Sequence, residues 1–221
     1  MRRHIPNLIT SLNLLTGVLG IIWVFQENIN DALIFVIIAA AFDFFDGFVA
    51  RLLKVQSPEG KELDSLADMI SFSAFPALFL FLYLQNQELH ISAYTALLIA
   101  PFSAMRLAIF NTDDQQSDKF IGLPTPANAI FVTSLPLINP SFPEWAWVAL
   151  SLASALLLVA PIEMIALKFK TYNFRENLFR YALIVLSVTV LLVFGPKGLV
   201  FVIPGYILLS IFSNFSQHKN R

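Results

Sequence analysis

Four aspartates stand out for their chemistry: Asp43 and Asp46 in one apolar stretch, and Asp64 and Asp68 in the next. A carboxylate at the centre of a membrane helix costs about 2.5–3.5 kcal/mol on insertion scales, so four together cost on the order of 10 kcal/mol unless something compensates. On a helix turning about 100° per residue, Asp43, Asp46, Gly47, Ala50 and Arg51 share one face. Gly60, Asp64 and Asp68 recur every four residues and form a single stripe on the following helix. The connection from Lys54 to Pro58 reads as a turn, so the two helices are antiparallel neighbours and the acidic stripes can face each other. Hard divalent cations take carboxylate oxygens as ligands, and two Mg²⁺ or Mn²⁺ would cancel four negative charges. Gly47, Ala50 and Gly60 lack bulk beside the acids, so a ligand can approach the backbone closely.

The elements that carry these residues belong to a membrane. The 221 residues are 57% hydrophobic and only 13% charged, with a mean hydropathy of +0.71, whereas an ordinary soluble domain carries about 25% charged residues. The expected fold is an all-α polytopic membrane protein with about eight transmembrane helices, at 8–25, 32–53, 62–84, 91–111, 125–138, 145–164, 179–194 and 198–213. The apolar run after Met1-Arg-Arg-His4 resembles a signal peptide but lacks a small-residue cleavage site, so it reads as an uncleaved first helix. With eight helices, thirteen of the fourteen Lys and Arg residues fall on one side and only Lys197 on the other, which puts both termini in the cytoplasm. Asp46 then lies about 12 Å from the helix end at Lys54, and Asp68 about 10 Å from Lys61, at 1.5 Å per residue. That is shallow and cytoplasm-facing, so a water-soluble co-substrate can arrive from one side and a lipid from the other. Trp23, Trp145 and Trp147 fall at the opposite boundary, as an aromatic belt does. Phe42, Phe44, Phe45 and Phe48 are expected to point away from the acids into neighbouring helices. No repeat or linker divides the chain, so 1–221 reads as one domain. A net charge of −1 argues against a nucleic-acid partner, and the absence of cysteine excludes disulfides and thiol chemistry.

The pattern Asp-x₂-Asp-Gly-x₂-Ala-Arg-x₈-Gly-x₃-Asp-x₃-Asp, formed here by Asp43, Asp46, Gly47, Ala50, Arg51, Gly60, Asp64 and Asp68, resembles the signature of the CDP-alcohol phosphotransferases at every defined position. Ile5 to Asn13, Gly60 to Asp68, Arg106 to Asn111 and Phe120 to Asn128 resemble its phosphatidylserine synthase branch, so the likeness covers about residues 5–130. It implies transfer of a phosphatidyl group from CDP-diacylglycerol to L-serine with release of CMP, in a prokaryotic inner or cytoplasmic membrane with the site facing the cytoplasm. By the same resemblance, Asp43, Asp46, Asp64 and Asp68 hold two divalent cations, and Asp68 is the general base for the serine hydroxyl. Asp46, Gly47, Ala50, Arg51 and Gly60 flank the CDP group, with Asn7 and Thr10 as candidates to contact it. A homodimer is implied as well. Serine carries a carboxylate, for which Arg106 and Lys119 are the nearest candidate cations, with Lys168 and Lys170 as further ones.

Plainer readings compete. Four buried acids paired with Arg51, Lys54 and Lys61 would leave one charge uncompensated. Asn7, Thr10 and Asn13 equally suit capping or interhelical hydrogen bonds, and Asn111, Thr125 and Asn128 equally suit turns. His4, His90 and His218 lack metal-ligand spacing. Intramembrane acids also line ion pathways, but a carrier would show two related halves, whereas these acids occupy one hairpin; a protein keeping a metal for structure is the third class. Within the enzyme class, glycerol 3-phosphate and inositol phosphate are the competing acceptors.

Overall fold

The computed structural model describes residues 4–26, 28, 31–112, 120–138, 141–167, 173, 174 and 177–219, the last three by backbone alone. It is that of an all-α polytopic membrane protein. Helix α1 (His4–Phe25) is followed by α2 (Ala32–Leu53), α3 (Pro58–Met69), a π-helical turn (Ile70–Ala74) and α4 (Phe75–Asn86). Next come α5 (His90–Ala96), α6 (Ile99–Thr112), strand β1 (Phe120–Ile121), α7 (Thr125–Ser134) with a 3₁₀ extension to Ile138, and α8 (Glu144–Val159). Strand β2 (Glu163–Met164), α9 (Leu178–Phe194), a 3₁₀ turn (Gly195–Gly198) and α10 (Leu199–Lys219) complete the order. Among the described residues, five stretches are long and apolar enough to cross a bilayer: His4–Phe25, Ala32–Leu53, Pro58–Asn86, His90–Thr112 and the 39-residue Leu178–Ser216, which holds α9 and most of α10. Thr125–Ile138 and Glu144–Val159 are shorter apolar helices.

Local chemistry explains the boundaries. Lys54 closes α2 in the left-handed conformation (φ 54°), its N–H turned back to the carbonyls of Ala50 and Arg51. Ser57 opens α3 by accepting the Gly60 N–H at 3.1 Å, with Pro58 at the first helical position, where its missing N–H costs nothing. Pro101 likewise cannot donate to the Leu97 carbonyl, which accepts from Ala100 at 3.2 Å instead, and the span expected at 91–111 is broken between α5 and α6.

The span expected at 145–164 is corrected. Helix α8 stops at Val159, because Ala160 precedes Pro161 and is held extended (φ −63°, ψ 139°). The residues beyond it form β2, which pairs antiparallel with β1, Phe120 opposite Met164 and Ile121 opposite Glu163. Gly122 follows β1 at φ 78°, and a Cβ there would sit 2.2 Å from the Leu158 carbonyl oxygen. Gly122→Ala is therefore expected to lower stability by at least about 2 kcal/mol, read as a fall in Tm in detergent. An unchanged Tm would show that the β1–α8 contact yields without cost.

The polar side of α10 fastens this non-helical segment. Tyr206 donates to the Ile165 carbonyl at 3.1 Å, Ser210 accepts the Ile165 N–H at 3.1 Å, and Asn214 donates to the Glu163 carbonyl at 3.0 Å. These three residues are four apart, so they form one stripe along the helix. Arg180 adds a hydrogen bond to the Ala166 carbonyl at 2.8 Å. Backbone groups that leave helical pairing inside an apolar bundle must find partners, and these side chains supply them.

Helix α1 packs against α2 and α3 and also touches the π-helical turn and α4. Gly17 allows the closest approach: a Cβ there would lie 2.8 Å from the Ser71 Cα. The main core joins Val24, Val36, Phe72, Phe75, Phe79, Leu80, Leu84, Ile99, Val132 and Trp147. Trp147 is thus a core residue, 2% exposed and packed on Tyr83 and Phe142, rather than part of a boundary belt; Trp145, 73% exposed, and Trp23, 40% exposed, remain outside. Phe44, Phe45 and Phe48 do turn away from the acids, but onto the outer surface, where they pack on one another instead of on neighbouring helices.

Candidate active site

The π-helical turn, the α2–α3 hairpin and α1 together place the acids. Oxygens of Asp43, Asp64 and Asp68 lie within 4.8 Å of one another, so the two stripes do face each other. Carboxylates this close repel strongly unless a cation or a shared proton sits among them. Asp46 stands apart from this triad, buried, and accepts a 2.6 Å hydrogen bond from the Thr10 hydroxyl. Asp68 is buried and accepts from the Asn13 side-chain amide at 3.3 Å.

The residues fit a divalent cation on a structural test. Asp64 Oδ1 is buried and has no hydrogen-bond partner. An orphaned carboxylate oxygen beside two further carboxylates is what a hard cation would satisfy. Asp43, Asp64 and Asp68 could hold it, with Asp46 one helical turn from Asp43.

A cavity of about 550 Å³ adjoins the triad. Seven residues expected at the site line it: Asn7, Thr10, Asp46, Gly47, Ala50, Gly60 and Asp64. The glycines differ in what they spare. At Gly60 a Cβ would come within 3.3 Å of Asn7 Oδ1 and 3.4 Å of Ser57 Oγ, so packing itself favours glycine. At Gly47 a Cβ would meet only the Arg51 guanidinium, at 3.7 and 3.9 Å. The protein's own packing does not require glycine there, and the space it leaves belongs to the cavity. Gly47→Val is therefore expected to keep or slightly raise Tm, since glycine is a poor helix former. The same change should raise the KM of the ligand that fills the cavity at least about tenfold; an unaltered KM would place that ligand elsewhere.

Other expected residues fall outside this cavity's lining. Arg51 is exposed, its guanidinium folded back over Gly47. Arg106 is buried, with Nε donating to the Leu123 carbonyl at 2.9 Å and the guanidinium 5.5 Å from the Phe110 ring centre. It approaches Asp68 and Tyr206 closely enough for electrostatic interaction with both. Lys119, Lys168 and Lys170 lie outside the described residues. Of the residues expected equally to serve turns, Asn128 is instead buried inside α7 and accepts from the Ser154 hydroxyl, while Asn111 donates to the Ser65 hydroxyl at 2.7 Å.

Sequence reasoning used Lys61 only for topology and as a counter-charge, yet it lines the cavity, and its ammonium is held by the Asn111 carbonyl at 3.0 Å. Its place one turn before Asp64, beside Gly60, was the available signal. Ser71 carried no signal at all, because its position depends on the π-helical turn.

Residues 3–165 match the family described as CDP-alcohol phosphatidyltransferase. The chain is 34% identical to the CDP-diacylglycerol–serine O-phosphatidyltransferase of Helicobacter pylori over 139 residues, 62% of this chain and 59% of that protein. It is 34% identical to the protein of the same description from Bacillus subtilis over 123 residues, 56% of this chain and 70% of that one. It is also 30% identical to the archaetidylserine synthase of Methanothermobacter thermautotrophicus over 161 residues, 72% of this chain and 68% of that one. The chain thus spans about three fifths of the length of the Helicobacter relative and of the Mycobacterium bovis one.

Proposed function

Because this chain belongs to the CDP-alcohol phosphatidyltransferase family, we propose that it transfers the phosphatidyl group of CDP-diacylglycerol to the hydroxyl of L-serine, with release of CMP. The observation that carries this reading is the Asp43–Asp64–Asp68 triad standing beside a nucleotide-sized cavity lined by the small residues Gly47, Ala50 and Gly60. The serine in the names of the relatives supports the choice of acceptor.

In this reading the serine hydroxyl oxygen forms a bond to the phosphorus of the phosphatidyl group, the bond from that phosphorus to the CMP oxygen breaks, and the hydroxyl proton passes to Asp68. Asp68 suits this role because it is buried, so water competes little for it, and because a neighbouring amide orients it. Two divalent cations held by Asp43, Asp46, Asp64 and Asp68 supply neutralisation of the diphosphate charge when bound. Thr10 fixes the Asp46 carboxylate, while Asn7, Gly47, Ala50 and Gly60 shape the space for the CDP group and Arg51 approaches its edge. Lys61, at the cavity wall, adds a positive charge for phosphate. Arg106, buried and near Asp68, would take the serine carboxylate; Lys119 is the further cation proposed for that role.

The whole chain is taken as one domain of a prokaryotic inner or cytoplasmic membrane, with both termini and the cavity on the cytoplasmic side. Arg51, Lys54, Lys61, Arg106 and Arg180 on one side and Lys197 on the other support that orientation. A homodimer is proposed from the family likeness, to be read by cross-linking in native membranes.

The test is to offer purified protein CDP-diacylglycerol with serine, glycerol 3-phosphate or inositol phosphate, and to measure CMP. Release that requires serine is expected. Release with a phosphorylated acceptor alone would replace the acceptor, and no release with any of them would remove the enzymatic reading.

A further inference from the structure

Asp68 does not stand alone on α3. The Asn13 amide of α1 reaches it across 3.3 Å, and Asn13 is itself 0% exposed. The direction of this contact is settled by charge: an amide presents N–H, not oxygen, to a carboxylate, so Nδ2 faces Asp68. That leaves Asn13 Oδ1 turned away, and it is buried without a hydrogen-bond partner. A buried amide oxygen left unpaired in an apolar bundle costs about 1–3 kcal/mol. A buried polar atom of this kind calls for a partner, whether water, an ion or a ligand.

The backbone under Asn13 is fixed with equal care. The Ser71 hydroxyl, in the π-helical turn that begins two residues after Asp68, donates to the Asn13 carbonyl at 2.9 Å. Ser73, in the same turn, donates to the Asp68 carbonyl at 3.4 Å. One helical turn along α1, Gly17 allows the Ser71 backbone to close against the helix. The wide turn thus ties α1 to α3 at the level where Asn13 meets Asp68. π-Helical turns of this kind occur mostly where function demands them.

We propose that Asn13 determines acceptor specificity: Nδ2 turns the Asp68 carboxylate toward the incoming hydroxyl, while Oδ1 accepts a hydrogen bond from the ammonium on the adjacent carbon. This rests on the serine reading above and extends it. A hydroxyl donating to Asp68 brings the neighbouring ammonium beside the same amide, and that ammonium is a donor where the orphan oxygen needs one. The surrounding aspartates favour a cation there. Glycerol 3-phosphate and inositol phosphate offer no ammonium, so Asn13 would leave them with an unpaired oxygen. Sites that hydrogen-bond a substrate group reject analogues lacking it more strongly than apolar pockets reject a missing methylene.

The experiment compares serine with 3-hydroxypropionate, which is serine without its ammonium, in the unaltered protein and in Asn13→Ala. The unaltered protein is expected to prefer serine by at least about 100-fold in kcat/KM. Asn13→Ala is expected to lower kcat with serine about 10- to 100-fold and to raise the serine KM, so that the preference collapses. The KM for CDP-diacylglycerol should stay within about threefold, and because Asn13 orients Asp68 beside the proposed cations, both acceptors are assayed at Mn²⁺ saturating for each protein, as titrated by electron paramagnetic resonance. A preference for serine that survives Asn13→Ala at saturating Mn²⁺ overturns the proposal, because a merely structural role, or one confined to orienting Asp68, would slow both acceptors alike. Should Asn13→Ala not fold, Asn13→Ser is read in the same way, and equal use of the two acceptors by the unaltered protein overturns the proposal by itself. Failure of the serine reading itself would look different, as no serine-dependent CMP from the unaltered protein.

Discussion

Asp68→Asn is expected to lower serine-dependent CMP release by about 10³-fold or more, while binding of CDP-diacylglycerol persists. The substitution keeps the volume and planarity of the side chain, so the packing of α1 against α3 should survive. It removes the one property the reading requires, which is the ability to take a proton. General-base contributions typically amount to 10²–10⁴-fold, and here Asp68 also belongs to the triad, so two losses combine. Rapid-quench measurement of CMP, with calorimetric binding of CDP-diacylglycerol as control, separates the two. A variant that turned over within tenfold of the unaltered protein would move the base to another residue.

Asp64→Asn should act through a different channel. The unpartnered Asp64 Oδ1 is the clearest structural sign that a cation belongs among these side chains. Replacing the carboxylate with an amide removes a full charge from the triad and should weaken Mn²⁺ binding at least about tenfold, with activity falling by about 10²-fold or more at limiting metal. Raising the metal concentration should restore most of that activity, whereas for Asp68→Asn it should recover only the share due to the metal and leave the loss due to the missing base, about 10²-fold or more. Chelation of the unaltered protein should abolish CMP release, and Mg²⁺ or Mn²⁺ should restore it. Activity indifferent to chelation and to this substitution would leave the carboxylates without a cation to hold.

The two sets of results bear on how much of the site could be read from the chain itself. The four acids were legible because their spacing, three residues in α2 and four in α3, is the spacing of one helical face, and the turn at Lys54–Pro58 had only one compact outcome. The small residues were legible for the same reason, and seven of the expected positions do line the cavity. The ending of α8 was equally available, since a proline disfavours the helical region for the preceding residue, but the expected span ran on to Met164. Strands of two residues leave no periodicity to detect, so β1 and β2 were beyond reach. So was the π-helical turn: nothing in Ile-Ser-Phe-Ser-Ala distinguishes it from ordinary helix, and the contact of Ser71 with α1 exists only once both helices are packed. Trp147 shows the opposite failure, where residue type suggested a boundary and tertiary packing on Tyr83 placed it in the core.

Within its twelve residues α3 carries Glu59, Lys61, Glu62, Asp64 and Asp68, so the first 12 of the 29 residues of the Pro58–Asn86 span are ill suited to enter hydrocarbon by themselves. Its entry must be driven by the apolar α4 that follows through the π-helical turn. The polar partner that Asp68 then needs, Asn13, is carried by a helix synthesised earlier. Insertion and assembly of the reactive centre are thereby ordered along the chain: the Thr10 hydroxyl of α1 meets Asp46 of α2 first, and Asp68 reaches the waiting Asn13 amide as α3 and α4 are drawn in.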